Sequence, residues 1–309
     1  MKRAFFTKQT GLVSLATLAV LMVTVLAASG VSADEPVKYT LNFHRGGGNA
    51  KPENTLETFL WAWNLGVIPE GDVQYTKDGV AVMSHDSKLK RIPWNLPEEM
   101  KNKPISDYDW SVIQTLDVGS YKGPEYANQR IPRMEAVFAA MSGCPDRCLY
   151  LDEKGLTEEN QKEIAKLVHQ YGIVNQMFFT AGNYGQIKRW HEICPDGKAM
   201  LWLGYCWTKD GKCNMDGLNK ALDELRAANF AGVDHLVVHI LAHMENDEPF
   251  SPSSEYLQKL NEEMKQRGVV FSVITWTEGD NPEVYRRLIK LGLTGFATDY
   301  PEVLLEAVK

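Results

Sequence analysis

A chain of 309 residues, 44% hydrophobic and 24% charged, has the apolar mass for one large core or two small ones and excludes a disordered or fibrous polymer. Its net charge of -7 and pI near 5.6 exclude a broad basic surface that tracks nucleic acid, although a few local basic groups suffice to hold one phosphate.

Residues 1–33 read as an export signal. Lys2, Arg3 and Lys8 precede an apolar stretch from Gly11 to Ala28, and Val31, Ser32 and Ala33 offer small residues for cleavage before Asp34. The stretch approaches the ~18 residues at which a membrane span becomes feasible, but the small-residue site and the polar residues behind it favour cleavage. The expectation is a secreted or periplasmic chain without stable membrane insertion, its residues 34–309 forming one domain. Export makes Cys144, Cys148, Cys194, Cys206 and Cys213 candidates for disulfides. Local spacing favours Cys144 with Cys148 and Cys206 with Cys213. No CxxC pair occurs, which disfavours a zinc site.

Behind the signal, apolar β-rich runs alternate with helical patterns, the signature of an α/β fold with mostly parallel strands. Runs at 40–44, 68–73, 80–85, 149–154, 177–180, 200–204, 235–240, 269–276 and 295–298 predict strands. Segments 54–65, 158–171, 216–229, 254–267 and 282–291 repeat apolar residues at three- and four-residue steps and predict helices. About 250 residues is typical of a TIM (β/α)8 barrel, so the expected fold is a TIM-like barrel, with one strand candidate more than it needs. The polar, Pro- and Gly-rich stretch 87–132 predicts a small insertion over the mouth.

The densest polar chemistry lies between His44 and Asp86. His44-Arg45-Gly46 ends a strand candidate, Pro52-Glu53-Asn54-Thr55 opens a helix, and Glu70-Gly71-Asp72 occupies the next strand. Thr76-Lys77-Asp78-Gly79 then makes a turn before His85-Asp86. Each piece says little alone, since a Pro-Glu-Asn-Thr segment is also a plain helix cap. In this order and spacing they resemble the glycerophosphodiester phosphodiesterases. Ile131-Pro132, Asp152-Glu153-Lys154, Trp276-Thr277 and Thr298-Asp299 with Pro301 extend the resemblance over nearly all of residues 34–309. The resemblance implies a TIM barrel, a carboxylate-bound divalent cation and hydrolysis of a small-molecule or lipid-derived glycerophosphodiester to an alcohol and glycerol phosphate. In that family the glycerol hydroxyl beside the phosphate binds the cation and can attack phosphorus ahead of water, which admits a cyclic phosphate here.

Strand geometry supports the same assignment. Side chains alternate along a strand, so Glu70 and Asp72 share a face, and two adjacent carboxylates repel unless a cation lies between them. Oxygen ligands suit Mg²⁺ or Ca²⁺. Asp152 and Glu153 are both available as a third ligand; if Lys154 faces the site to meet a phosphate, Asp152 faces it too and is preferred. Only residues 75–79 separate two strand candidates, too few for a parallel crossover, so a hairpin is expected. With Asp78-Gly79 as a type I′ loop, Lys77 pairs with Val80 and Asp72 falls opposite His85.

His44 and His85 are the expected acid and base, in either order. Arg45 would neutralise phosphoryl charge, and Trp276, by its place in the family pattern, would wall the substrate pocket. His235, His239 and His243 suggest a metal cluster, and alternate spacing would put His235 and His239 on one strand face, but these lack neighbouring acids, so a ligand role is not expected. Thr180-Ala181-Gly182 stands where the family usually has a Ser-Phe pair, which predicts a more open wall. Two other readings are a related barrel phospholipase or sphingomyelinase D and a secreted non-catalytic binding barrel; the Pro-Glu-Asn-Thr and Thr-Lys-Asp-Gly segments and the paired histidines favour the phosphodiesterase.

Overall fold

Short apolar runs rich in β-branched and aromatic residues become strands when both faces can be buried, one inside a barrel and one beneath a helix. The structure, a computed structural model, describes residues 37–309 apart from 94 and 207–211, so the expected signal at 1–33 lies outside the described residues. In chain order the strands are β1 (Thr40–Phe43), β2 (Ile68–Tyr75), β3 (Ala81–Met83), β4 (Leu149–Glu153), β5 (Met177–Ala181), β6 (Lys198–Leu203), β7 (His235–Ala242), β8 (Phe250–Ser251), β9 (Val270–Thr275) and β10 (Gly295–Thr298). All except β3 and β8 run parallel in the order β1, β10, β9, β7, β6, β5, β4, β2, and β1 pairs with β2 to close the ring. This is the expected TIM barrel.

The helices are α1 (Leu56–Asn64), α2 (Trp110–Ile113), α3 (Met134–Met141), α4 (Glu158–Gln170), α5 (Tyr184–Ile193), α6 (Met215–Ala227), α7 (Ser254–Arg267), α8 (Pro282–Lys290) and α9 (Pro301–Ala307). Thr55, Thr157, Asn183, Asn214, Ser253 and Asn281 cap six of them with side-chain oxygens, as orphaned first-turn amides require. Among the described residues no helix is long and apolar enough to cross a membrane. The main core, with Phe59, Phe138, Trp190 and Leu257, packs sheet against helices. Tyr150, Met200, Trp202, Val237, Ile274 and Ala297 form a separate cluster on the inward strand face. Residues 87–132 carry α2 and isolated turns, gathered on Leu89, Ile105, Ile113 and Leu116.

The ninth strand candidate is β3, which pairs antiparallel with the end of β2 and stays out of the ring. Its register corrects the expected hairpin. Tyr75 pairs with Ala81 and Val73 with Met83, and the Ser84 amide donates to the Asp72 carbonyl at 2.8 Å, one residue from the predicted alignment. A type I′ loop needs positive φ at both central residues, but of Asp78 and Gly79 only Gly79 adopts it, at 78°. Thr76 Oγ1 accepts the Val80 amide at 2.9 Å and donates to Asp78 at 2.6 Å, which widens the loop to Lys77, Asp78 and Gly79. A one-residue slip reverses every facing, so His85 reaches the mouth from the bend after β3 and not from a strand position opposite Asp72.

Cys206 and Cys213 are bonded. Cys144 and Cys148, expected to pair, are free. The Cys144 amide bonds the Met141 carbonyl at the end of α3, while the Trp63 indole holds the Cys148 carbonyl at 2.7 Å at the entry to β4. Each cysteine is thus committed to a different element.

His235 is wholly buried, Nδ1 at 2.7 Å from the Tyr150 hydroxyl and Nε2 at 2.7 Å from Ser272 Oγ. Burial drives its pKa from 6.5 down to about 3. Unfolding restores proton affinity, so this neutral imidazole stabilises the fold above about pH 6.5 and loses that contribution as pH falls toward about 3. Urea unfolding at pH 7 and pH 4 should therefore show a smaller pH-dependent loss in His235→Gln, which keeps hydrogen-bonding groups without titrating, than in the parent chain.

Candidate active site

Loops at the C-terminal ends of barrel strands converge on one mouth, and the chemically active side chains gather there. His44 and Arg45 follow β1, Glu70 and Asp72 lie in β2, Asp152 lies near the end of β4 with Lys154 just beyond the strand, Trp276 follows β9 and Asp299 follows β10. A cavity of about 550 Å³ is lined by His44, Arg45, Glu70, His85, Asp152, Lys154 and Trp276, with Glu153, Gln186, Gly182, Trp202 and His239 completing the wall. Asp72 lies fully buried beneath them.

Parallel pairing sets Asp72 directly beside Asp152, and Glu70 lies two residues back on the same face. One oxygen from each of the three lies within 4.8 Å of the others. Asn54 secures Asp72 twice: its Nδ2 donates to Oδ2 at 2.8 Å and its Oδ1 accepts the Asp72 amide at 2.9 Å. Arg45 adopts φ 52°, a bend that sends its amide to Glu70 Oε2 at 2.6 Å while its carbonyl accepts the Asn54 amide at 3.0 Å. The turn after β1 and the cap of α1 therefore lock together, and each holds one carboxylate. Gly48 permits the neighbouring loop to close on β10, because a Cβ there would lie 2.4 Å from the Asp299 carbonyl oxygen.

Lys154 Nζ lies 2.5 Å from Asp152 Oδ2 and 2.9 Å from Asp72 Oδ1, the latter contact outside hydrogen-bonding geometry. Burial raises Glu70 far above the usual carboxylate range, and Asp72 and Asp152 push the same way. Burial also lifts Asp152 to about 6, against the pull of Lys154. Asp72 stays low because Lys154 and the histidines outweigh its burial. Three acids against one ammonium leave the cluster short of positive charge, and an all-oxygen donor set of this kind fits a hard divalent cation. Glu153 borders the cavity but lies outside the three-acid group: its carboxylate accepts the Gly155 and Leu156 amides at 2.9 and 3.0 Å and the Gln186 side chain.

The rings of His44 and His85 stand 6.4 Å apart and nearly perpendicular. Each leans on a carboxylate through Nδ1, His44 on Asp299 and His85 on Asp86, both at 2.7 Å. Arg45 Nη2 lies 3.1 Å from His85 Nε2. A guanidinium only donates, so Nε2 accepts and the His85 proton sits on Nδ1 toward Asp86. Burial lowers the His85 pKa, though Asp72 and Asp86 oppose it. His239 packs between Trp202 and Trp276 at 5.4 and 5.2 Å, and burial beside His44 pushes its pKa down to about 3. His235 is in the core and His243 lies near Glu245 and Glu278, so the three late histidines do not form one group.

The glycerophosphoryl diester phosphodiesterase family model matches residues 44–303. The chain belongs to this family. It is a phosphoric diester hydrolase of the glycerophosphodiester phosphodiesterase kind. It is 27% identical over 270 residues to a glycerophosphodiester phosphodiesterase of Caldanaerobacter subterraneus subsp. tengcongensis, covering 86% of this chain and 96% of that one. To Lysophospholipase D GDPD1 of Homo sapiens it is 26% identical over 283 residues, covering 84% and 83%. The glycerophosphodiester phosphodiesterase structure from Agrobacterium tumefaciens str. C58 superposes with TM-score 0.63 at 20% identity, covering 87% of this chain and 99% of that one. An Oleispira antarctica phosphodiesterase in complex with the product sn-glycerol-3-phosphate gives TM-score 0.61 at 20% identity, covering 87% and 96%. Membership favours the phosphodiesterase reading over a sphingomyelinase D or a non-catalytic barrel.

Sequence reasoning placed its eight site residues around one mouth but gave no role to Asn54, Glu53, Asp86, Asp299, Trp202 or His239. Asn54, Glu53, Asp86 and Asp299 stood inside the quoted motifs, but only Asp86, next to His85, carried a local signal, an acid beside a catalytic candidate. Because Asn54 satisfies two buried groups of Asp72, Asn54→Ala should cost about 2–4 kcal/mol, roughly the desolvation penalty of both orphaned groups. Chemical denaturation measures this directly.

Proposed function

We propose that this phosphodiesterase hydrolyses glycerophosphodiesters to an alcohol and glycerol phosphate by paired-histidine acid–base catalysis beside a carboxylate-bound Mg²⁺ or Ca²⁺. The observation that carries the reading is a single cavity in which two carboxylate-backed histidines face three converging acids, Arg45 and Lys154. The sn-glycerol-3-phosphate product in the Oleispira antarctica structure supports glycerol phosphate as the product here.

Glu70, Asp72 and Asp152 would hold the cation, which when bound supplies positive charge to the phosphoryl oxygens. His85, with a free electron pair on Nε2, takes the proton from the attacking hydroxyl, that of water or of the glycerol itself. His44 protonates the departing alcohol oxygen, and Asp299 keeps its ring aimed at the cavity. Arg45 shifts from His85 Nε2 to the phosphoryl oxygens, and Lys154, beside Asp72 and Asp152, adds its positive charge at the same end of the cavity. Trp202 and Trp276 shield this end from water. The Cys206–Cys213 disulfide supports our proposal that the chain works in an oxidising compartment outside the cytoplasm.

A panel of glycerophosphodiesters, assayed for released alcohol with and without chelator, tests the reading. Turnover should vanish on chelation and return with Mg²⁺ or Ca²⁺; undiminished activity after thorough chelation sinks the cation. Asp152→Ala should weaken cation binding far more than Glu153→Ala, and the reverse result reassigns the ligand.

Loss of either histidine should reduce kcat on the order of 10²–10⁴. The kcat/KM profile should be bell-shaped. Its acidic limb should fall below the ordinary histidine value of 6.5, because activity needs neutral His85 and burial favours that form. Near-full activity in both His44→Ala and His85→Ala would make these histidines structural.

A further inference from the structure

Asp86 and Glu53 lean on one shared cation. Arg91, from the segment leaving the barrel after β3, donates from Nε to Asp86 Oδ2 at 2.7 Å. Its Nη1 and Nη2 donate to Glu53 Oε2 and Oε1 at 2.6 and 2.7 Å. Asp86 Oδ1 meets His85 Nδ1 at 2.7 Å, His85 Nε2 meets Arg45 Nη2 at 3.1 Å, and Arg45 Nη1 returns to Glu53 Oε2 at 3.2 Å. Five side chains thereby close a ring in which both catalytic-side contacts of His85 trace back to one guanidinium.

We infer that Arg91 is a positioning residue for the proton-transfer chemistry: it fixes the His85 tautomer through Asp86 and the reach of Arg45 through Glu53. An aspartate one-third exposed, as Asp86 is at 33%, has several rotamers open to it. With Oδ2 bound to Arg91, its other oxygen is aimed at His85. Glu53 is nearly buried at 9%, and the two-pronged contact from Arg91 sets the plane of its carboxylate and so the point from which Arg45 is held. Only a planar guanidinium spans two carboxylates with three directed donors; a lysine ammonium is a single point of charge. Arg91 borders a groove that shares His85 with the catalytic cavity, and its Nε, Nη1 and Nη2 each donate to Asp86 or Glu53, so it acts through these partners. The segment 87–132 thus contributes to the chemistry as a brace.

The inference rests on His85 acting as base, and the test separates the two. With the full chain and saturating divalent cation, kcat and KM for glycerophosphocholine are measured across pH for Arg91→Ala, Arg91→Lys, His85→Ala and the Arg91→Ala/His85→Ala double variant. Arg91→Ala should lower kcat by about 10- to 100-fold, less than loss of the base itself, with KM changed by less than about threefold. Arg91→Lys should recover only part of the loss, and added guanidinium should restore turnover in Arg91→Ala.

The acidic limb should move to higher pH in Arg91→Ala, because Asp86 freed of its cation favours the imidazolium. The other titratable and charged groups facing His85, namely Asp72, Arg45, Lys154 and His44, remain in place. In the His85→Ala background, Arg91→Ala should cost far less than in the parent chain, only the share that runs through Glu53 and Arg45. The same fold-loss in both backgrounds, or a KM rise at constant kcat, overturns the positioning role while leaving His85 as base. Full activity in His85→Ala removes the base and this inference with it. Circular dichroism and thermal melting check folding, and Arg91→Gln replaces Arg91→Ala should the latter fold poorly; the same outcomes apply.

Discussion

Three carboxylates held within 4.8 Å of one another, two of them almost fully buried, are the constraint to which the rest of the mouth answers. Removing such charges from water costs several kcal/mol each unless they are paired or hydrogen-bonded, and close acids resist joint ionisation. The surrounding contacts fall into place on that basis. Asn54 takes two bonds to Asp72, the Arg45 amide takes Glu70, and Lys154 spans Asp72 and Asp152. Arg45 and Asn54 come from opposite ends of the β1–α1 connection and Lys154 from the loop after β4, so the acid cluster organises the mouth as much as the mouth organises it.

The barrel supplies what loops alone cannot, namely register. Pairing of β2 with β4 fixes Asp72 beside Asp152, and the inward face continues below them into Tyr150 and His235, tied to each other through one hydrogen bond. This lower layer is neutral and packed, the upper layer charged and open. The boundary falls within single strands: β4 carries Tyr150 in the core and Asp152 in the cavity, two residues apart. A one-residue slip in β4 would exchange Asp152 for Glu153, whose carboxylate now caps the turn after the strand.

The strand and helix pattern made the barrel legible, since alternation of apolar runs needs no tertiary information. The acid cluster was legible for the same reason: parity within a strand is local, and the preference for Asp152 over Glu153 followed from it. The hairpin register was not, because it turned on the Thr76 hydroxyl replacing a backbone partner, a choice between two loops of similar sequence cost. The Cys144 and Cys148 pairing failed similarly, as sequence spacing is blind to the Trp63 indole that fixes one of them. The carboxylate behind His44 lay beyond reach for another reason, unlike Asp86, which adjoins His85 in sequence. Asp299 meets His44 across 255 residues, and only closure of β10 on β1 brings them together.

Arg45 shows why the two halves of the site cannot vary independently. Its backbone amide serves Glu70 in the acid cluster, while its guanidinium serves His85 and Glu53 on the proton-transfer side. The left-handed backbone at φ 52° makes both possible, because it turns the amide inward while the side chain runs outward over the mouth. Non-glycine residues seldom hold this conformation, which costs on the order of 1–3 kcal/mol and persists where surrounding contacts over-determine it. Here those contacts are Glu70 on one side and Asn54 on the other. A glycine would relieve the strain but lose the guanidinium, and a residue kept to ordinary φ would withdraw the amide from Glu70. The position therefore needs an arginine that tolerates strain, and the Glu70 oxygen that accepts its amide is part of what holds it there.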